Sequence, residues 1–189
     1  MIKLSILVAT IPSRIDNYFP RIIKTLQKQT DGRSDIEILG LFDNKKRSVG
    51  QKRNELLKLA QGEYLTFVDD DDRIAEDYVS SIMSTLIANP NADCVCFGCE
   101  TTVNGGDRHF SKYSVNYSYS RIGDQWRGKP AHTMIWKSAI AKKYAYPDKN
   151  YGEDVDWVVK ACTEIKNEVQ IDKVLYFYDF NSSVSETRG

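Results

Sequence analysis

The sequence predicts an α/β fold, a mainly parallel central sheet flanked by helices, in a single domain. Apolar runs with a β-branched bias alternate with helix-periodic segments through the first hundred residues. Each of the first three runs ends in polar residues able to do chemistry. A chain of 189 residues is long enough for one sizeable core, and one domain over 1–189 is the expectation.

The elements follow in order. Leu4–Ala9 is a continuous apolar run suited to a strand buried on both faces. Asn17–Gln29 carries Phe19, Ile22, Ile23 and Leu26 at helical spacing, and Ile36–Phe42 reads as a second buried strand. Val49–Ala60 supplies Leu56, Leu57 and Leu59 to a helix that Gly62 stops, and Tyr64–Val68 is a third strand. Strand, helix, strand, helix, strand at this spacing implies parallel strands with right-handed crossovers, a layout that binds ligands beyond the carboxyl ends of its strands. Thr10 to Arg14, Asp43 and Asp69 to Asp72 each follow one strand and should meet at one crevice.

Beyond the aspartates, Arg73–Leu86 places Ile74, Tyr78, Ile82 and Leu86 on roughly one helical face, with Asp72 as its cap. The second half is less regular. Asp93–Glu100 reads as a strand, Asn104-Gly105-Gly106 as a tight turn and Tyr113–Arg121 as an exposed strand or flap. Lys137–Tyr144 and Asp154–Ile165 read as helices and Val169–Tyr178 as a final strand. The polar tail Asn181–Gly189 is expected to be mobile until a ligand binds.

Composition excludes little. Lys plus Arg equals Asp plus Glu at 26 each, so whole-chain charge gives no support for nucleic acid or acidic membranes as partners. The N-terminal apolar run is too short to span a membrane and lacks a small-residue cleavage site, so a cytoplasmic protein is expected. Cys94, Cys96, Cys99 and Cys162 do not form the paired C-x-x-C arrangement of a structural zinc site and read as reduced thiols.

The chemistry concentrates in Asp69-Asp70-Asp71-Asp72. Repulsion and desolvation oppose four adjacent carboxylates at a strand end unless they face water, cations or a divalent metal. A solubilising acidic loop with Asp72 as helix cap accounts for Asp72 but not for four aspartates; a metal–diphosphate site is the alternative, and oxygen ligands suit Mg²⁺ or Mn²⁺, although acidic surface patches are common. The basic residues Lys45, Lys46, Arg47, Lys52 and Arg53 form either a solvated face or a phosphate contact, with Arg47 and Lys52 the candidates. Asp154, in Gly152-Glu153-Asp154, is the carboxylate best placed to take a proton from an attacking hydroxyl, although capping the following helix also accounts for it, and Glu153 and Asp156 are alternatives. Trp136 and Trp157 suit sugar stacking but fit a core better, and His132 faces either the cleft or a structural partner.

Taken together, LSILVATIPSR, TLQKQT, IEILGLFDN, SVGQKRNELLKLAQGEYLTFVDDDD, HTMIWKSAIAKKYAYPD, NYGEDVDWVVKA and VLYFYDFNSSVS resemble, in order and spacing, the family 2 glycosyltransferases of the GT-A fold. The resemblance covers almost the whole chain. It implies a nucleotide-sugar-binding half over 1–100 and an acceptor-binding half over 101–189. By the same likeness, Asp69 and Asp71 would hold Mn²⁺ or Mg²⁺ and Asp70 would contact ribose. Asp43 would accept from a uracil-like base, Thr10 and Arg14 would line the base and ribose pocket, and Arg47 and Lys52 would meet the phosphates. Asp154 would be the base of an inverting transfer, with Glu153, Trp157 and His132 on the acceptor side.

The partners implied are a nucleotide-diphosphate sugar, UDP-sugar favoured, and a hydroxyl acceptor such as a glycan, a small molecule or a hydroxylated DNA base. One departure stands out. Many members carry a metal-ligating His in the last loop, where this chain reads Tyr178-Asp179-Phe180-Asn181-Ser182-Ser183, so Asp179, Asn181 or water must substitute. Two other readings are a nucleotidyltransferase, which predicts a glycine- and lysine-rich loop absent from Thr10–Arg14, and a nucleotide-sugar binding module without turnover.

Overall fold

The computed structural model describes residues 1–183. Part of the tail Asn181–Gly189 therefore lies outside the described residues. Strand β1 (Leu4–Thr10) runs parallel to both β2 (Ile36–Phe42) and β3 (Tyr64–Phe67). That central place buries β1 almost completely, whereas β2 is the sheet edge and only half-buried, a correction to the reading of Ile36–Phe42 as a buried strand. Helices α1 (Tyr18–Thr30) and α2 (Val49–Leu59) connect these strands. Pro20 is tolerated in the first turn of α1, where its missing N–H has no intrahelical partner to lose. Helix α2 opens on a capping box in which Ser48 and Gln51 satisfy each other's backbone N–H groups.

After β3 the chain departs from expectation. Arg73–Ile74 is a short strand, β4, and helix α3 (Tyr78–Ala88) starts only at Tyr78, with Asp77 at its N-cap position. Asp72 is thus not a helix cap. Its carboxylate accepts from the Tyr176 hydroxyl at 2.7 Å and from the Asp179 N–H at 3.3 Å, tying the acidic loop to the last strand.

Strand β5 (Cys94–Val103) pairs in parallel with the final strand β10 (Glu168–Phe180). Between them in sequence lie β6 (His109–Tyr113), β7 (Ser120–Ile122), β8 (Gln125–Gly128) and β9 (Ile135–Lys137). The expected turn at Asn104 is present, with Asn104 and Gly105 both at positive φ. The flap expected at Tyr113–Arg121 forms part of a small three-stranded extension, β6-β8-β7, on the edge of the sheet. Strand β9 enters antiparallel between β3 and β5 and joins the two halves into one sheet, whose long ladders are parallel.

Helix α4 (Ser138–Ala141) is a single turn, and α5 (Glu153–Ala161) continues into a 3₁₀ turn at Cys162–Glu164. Gly152, at φ +69°, is the N-cap of α5; Asp154 therefore lies within the first turn rather than at the cap. Gly50 sets the distance between α2 and the loop leading to α5. A Cβ there would sit 1.9 Å from the Pro147 carbonyl oxygen, and its N–H bonds Lys149 O at 3.1 Å.

Trp136 and Trp157 are fully buried. Trp157 stacks on Tyr146 with ring centroids 4.8 Å apart and donates its indole N–H to the Ala141 and Tyr144 carbonyls. The acceptor-side role for Trp157 is thereby corrected: it is core. Because its site cannot collapse around a lost indole, Trp157→Ala is expected to lower unfolding free energy by about 3–5 kcal/mol in a urea titration. A loss under about 1 kcal/mol would show that the aromatic stack is not a main support of α5.

Candidate functional site

The loops beyond β1 and β3 meet the N-terminus of α5 around a cavity of ≈ 670 Å³, with Arg14, Asp69, Asp71, His132 and Asp154 in its walls; Thr10, Asp43 and Asp70, expected at the same crevice, are buried and do not line it. The strand ends bring these groups together because successive parallel strands release their polar residues on the same edge.

Thr10 donates to Asp70 at 2.6 Å, and Arg14 bridges Asp70 and Asp71 with one guanidinium nitrogen on each at 2.8 Å. Asp70 is buried, and burial raises its pKa despite those partners. Burial, then the charges of Asp69 and Asp70, push Asp71 up to about 6 against the pull of Arg14. Asp72 is likewise driven well above the usual carboxylate range by burial and by the charges of Asp69 and Asp71. Arg21, from α1, donates to the Asp71 and Asp72 carbonyls and fixes the backbone of the loop.

Asp43 closes its own loop. It accepts from the N–H groups of Lys45 and Arg47, and Lys52 lies 3.2 Å away. Lys52 also donates to the Thr10 carbonyl and is buried, so its cation is absorbed by the first two loops, a correction to its expected place on the donor phosphates. Arg47 keeps an exposed side chain, 3.6 Å from Asp43.

Arg53 is the residue whose part the sequence hid. Its Nε donates to Glu153 and a terminal nitrogen to Asp69, both at 3.1 Å, and its guanidinium lies 5.0 Å from the Phe67 ring centroid. Glu153 is buried in this pair and does not present its carboxylate to an acceptor. A signal existed: Arg53 shares the inward face of α2 with Leu56 and Leu57, and a cation on an apolar stripe requires a buried partner.

His132 sits between two carboxylates. Its Nε2 is 3.2 Å from Asp69, and its Nδ1 is 3.2 Å from Asp154, the latter an ion-pair contact outside hydrogen-bond alignment. Burial and Arg53 oppose its charging, yet Asp69 and Asp154 raise its pKa above the ordinary histidine value. Burial alone would raise Asp154; His132 and Arg53 outweigh it and hold the carboxyl at about 2. Asp69 is held well below the usual carboxylate range, against burial, by Arg53 and His132.

The donor set for a cation is carboxylate oxygen, which suits a hard divalent ion. Arg14 compensates Asp71 only in part, since burial and the neighbouring aspartates still push it up to about 6, and a bound cation would stabilise its ionised form. Among the described residues no three His, Cys, Asp or Glu side chains converge as a ready cage, so a divalent ion fits as one held by one or two carboxylates plus substrate oxygens and water. Asp179, expected to replace the missing loop His, is engaged by Arg73 and Thr102 and lines a smaller cavity beside Asp71 and Asn181.

The family model for glycosyl transferase family 2 matches residues 14–148. The chain belongs to glycosyltransferase family 2. Crystal structures similar to this family 2 chain include S. aureus TarS in complex with UDP, with a TM-score of 0.74 at 20% identity over 94% of this chain and 60% of that one. TarS in complex with UDP-GlcNAc matches with a TM-score of 0.69 at 18% identity, over 97% of this chain and 61% of that one. Glucosyl-3-phosphoglycerate synthase from Mycobacterium tuberculosis, solved with Mn²⁺, UDP-glucose and phosphoglyceric acid, matches with a TM-score of 0.61 at 10% identity over 92% and 71% of the two chains. At these identities the likeness establishes the GT-A fold. The chain spans 37% to 61% of the length of the TarS chains. No curated protein sequence matches it. Among the described residues, no helix of this family 2 chain is long and apolar enough to cross a membrane.

Arg53→Met would strand Asp69 and Glu153 as poorly paired charges, and a loss of about 3–5 kcal/mol is expected on chemical denaturation. Adding Glu153→Gln should recover part of that loss. Equal losses in the single and double variants would show that the Arg53–Glu153 pair carries none of it.

Proposed function

We propose that this domain transfers a sugar from a nucleoside-diphosphate donor, UDP-sugar favoured, to a hydroxyl acceptor with inversion at the anomeric carbon. The observation that carries this is the placement of Asp154, Asp69 and Asp71 around one cavity, with His132 between Asp154 and Asp69. Family membership supports the reading, as do the solved neighbours that hold UDP, UDP-GlcNAc or UDP-glucose with Mn²⁺.

Arg14, in the cavity wall, is the cation placed to meet the donor, and buried Asp70, which also accepts from Thr10, holds it from behind; Arg47 is exposed but does not line this cavity. A divalent ion, when bound at Asp71, supplies electrostatic stabilisation of the departing diphosphate. The acceptor hydroxyl oxygen forms a bond to the anomeric carbon as the bond from that carbon to the diphosphate oxygen breaks, and its electron pair leaves with the nucleotide. Asp154 takes the hydroxyl proton. A carboxylate held at about 2 is a weak base toward a free alcohol, so the transfer occurs late, once bond formation has made that hydroxyl acidic. One displacement on one face inverts the centre and needs no covalent intermediate.

Asp154→Asn should leave UDP affinity intact and lower kcat by about 10²–10⁴-fold; near-normal turnover in that variant would place the base elsewhere. For Asp71, the ionised form binds a cation and the protonated form does not. Mn²⁺ affinity, followed by electron paramagnetic resonance, should therefore weaken as pH falls through about 6, approaching about tenfold per pH unit below it. Asp71→Asn should abolish both the affinity and its pH dependence, and a flat profile in the unmodified protein would remove Asp71 as the ligand.

A further inference from the structure

We infer that the acceptor is a carbohydrate chain of at least two sugar units, and that its second unit rests on an aromatic platform formed by Tyr119 and Trp126. This rests on the transferase reading above and names the acceptor class of that same site.

The sheet register places the platform. Tyr176, Cys99, Ser111, Trp126 and Arg121 are successive in-register partners across β10, β5, β6, β8 and β7, so all five share one face of the sheet. Tyr176 and Cys99 line the cavity that holds Asp154, and the same face runs outward from it without a break. Tyr113, also in the cavity wall, pairs with Gly128 one row along. A Cβ at Gly128 would lie 2.9 Å from Tyr119 Cε1, so only glycine lets the Tyr119 ring lie against the strand there.

Tyr119 is 64% exposed and Trp126 47% exposed. Tyr119 is close enough for the Asp154 charge, after burial, to raise its phenol pKa. The Arg121 guanidinium sits 5.7 Å from the Trp126 ring centroid and is itself tethered by the Gly123 carbonyl and Asp124, which braces the indole. Two strand steps, about 10 Å, separate the cavity wall at Cys99 from Trp126, room for one sugar unit beside Asp154 and another beyond it.

The chemistry of the face selects the occupant. A pyranose presents a face of polarised C–H groups that packs on the electron-rich face of an aromatic ring, and its hydroxyls seek the acceptors at the rim, Asp154 and Asp156. A polynucleotide would bring phosphates toward those same carboxylates. Near the platform, Arg121 is paired with Asp124, Arg108 with Glu100 and Lys149 with Asp156, while Arg127 falls on the opposite face of β8 from Trp126, over the Tyr117 ring. Phosphate tracking needs several unspent cations on one face.

Trp126 reports on its own occupancy. The other two tryptophans, Trp136 and Trp157, are fully buried, so acrylamide quenching of fluorescence reads Trp126. The protein, with UDP and Mn²⁺ present, is titrated with malto-, cello- and chito-oligosaccharides of one to six units. In at least one series, chains of two units or more should protect Trp126 and bind about tenfold more tightly than the monosaccharide. Trp126→Ala should erase the gain with chain length as measured by calorimetry, Trp126→Tyr should retain most of it, and both should bind UDP as the unmodified protein does.

The platform is overturned if no series protects Trp126, if the gain survives Trp126→Ala, or if single-stranded DNA protects the indole and the oligosaccharides do not. Failure of the unmodified protein to bind any nucleoside diphosphate would instead defeat the transferase reading. Retained UDP binding with no chain-length effect defeats the platform alone.

Discussion

The site depends on one buried cation. Arg53 is on α2, Asp69 follows β3 and Glu153 opens α5, and the guanidinium pairs with both carboxylates, so it ties the three elements together. Its ring neighbours Phe67 and Tyr146 seal it from water, and Tyr146 in turn stacks on Trp157 beneath α5. A buried ion pair of this kind adds little net stability over an apolar replacement, but losing one partner is costly. What Arg53 contributes is position: the N-terminus of α5, and with it Asp154, is held against the loop that carries the aspartates.

Around that anchor, the four consecutive aspartates have four different electrostatic fates. Asp69 is neutralised by Arg53 and His132 and stays ionised. Asp70 is shared between Thr10 and Arg14. Asp72 is a structural tie to Tyr176 on the last strand, its proton retained by burial and neighbouring charge. Asp71 is left with half of a guanidinium and is pushed up to about 6, by burial first and then by the charges of Asp69 and Asp70, so its ionised form is poorly stabilised. A run that looks uniform in sequence is therefore one paired, one hydrogen-bonded, one under-compensated and one structural carboxylate, and the under-compensated one lines the cavity together with Asp69 and Asp72.

Legibility followed burial. The boundaries of β1, α1, α2 and β3 were readable because a central parallel strand is apolar on both faces and the helices that cover it carry a clear apolar stripe. Asp72 misled because Ile74, Tyr78, Ile82 and Leu86 do share a face, yet β4 pairs with β10 and takes Arg73–Ile74 out of the helix. That pairing spans about a hundred residues of sequence, which local periodicity cannot see. Lys52 and Trp157 misled in opposite ways. A lysine next to other basic residues suggests solvent, but its partners Asp43 and the Thr10 carbonyl lie on other loops; a tryptophan beside two carboxylates suggests a binding site, but its indole N–H is taken by the Ala141 and Tyr144 carbonyls. His132 was legible as a residue near the cleft, though not as the group between Asp69 and Asp154.

The two halves of the sheet differ in how much the fold constrains them. In the first half, each residue that changes must still fill a space between β1, its neighbours and two helices. Among the described residues the β6-β8-β7 extension packs mainly on strands and has a sheet edge beyond it, so its residues answer to the solvent or to a ligand more than to packing. An exposed tyrosine laid on a glycine and an exposed tryptophan braced by an arginine are not needed to hold three short edge strands together. Large apolar surface kept in water opposes folding by roughly 25 cal/mol per Å² relative to burial. Its continuity with the cavity face makes the mouth of the site the place where that cost is recovered.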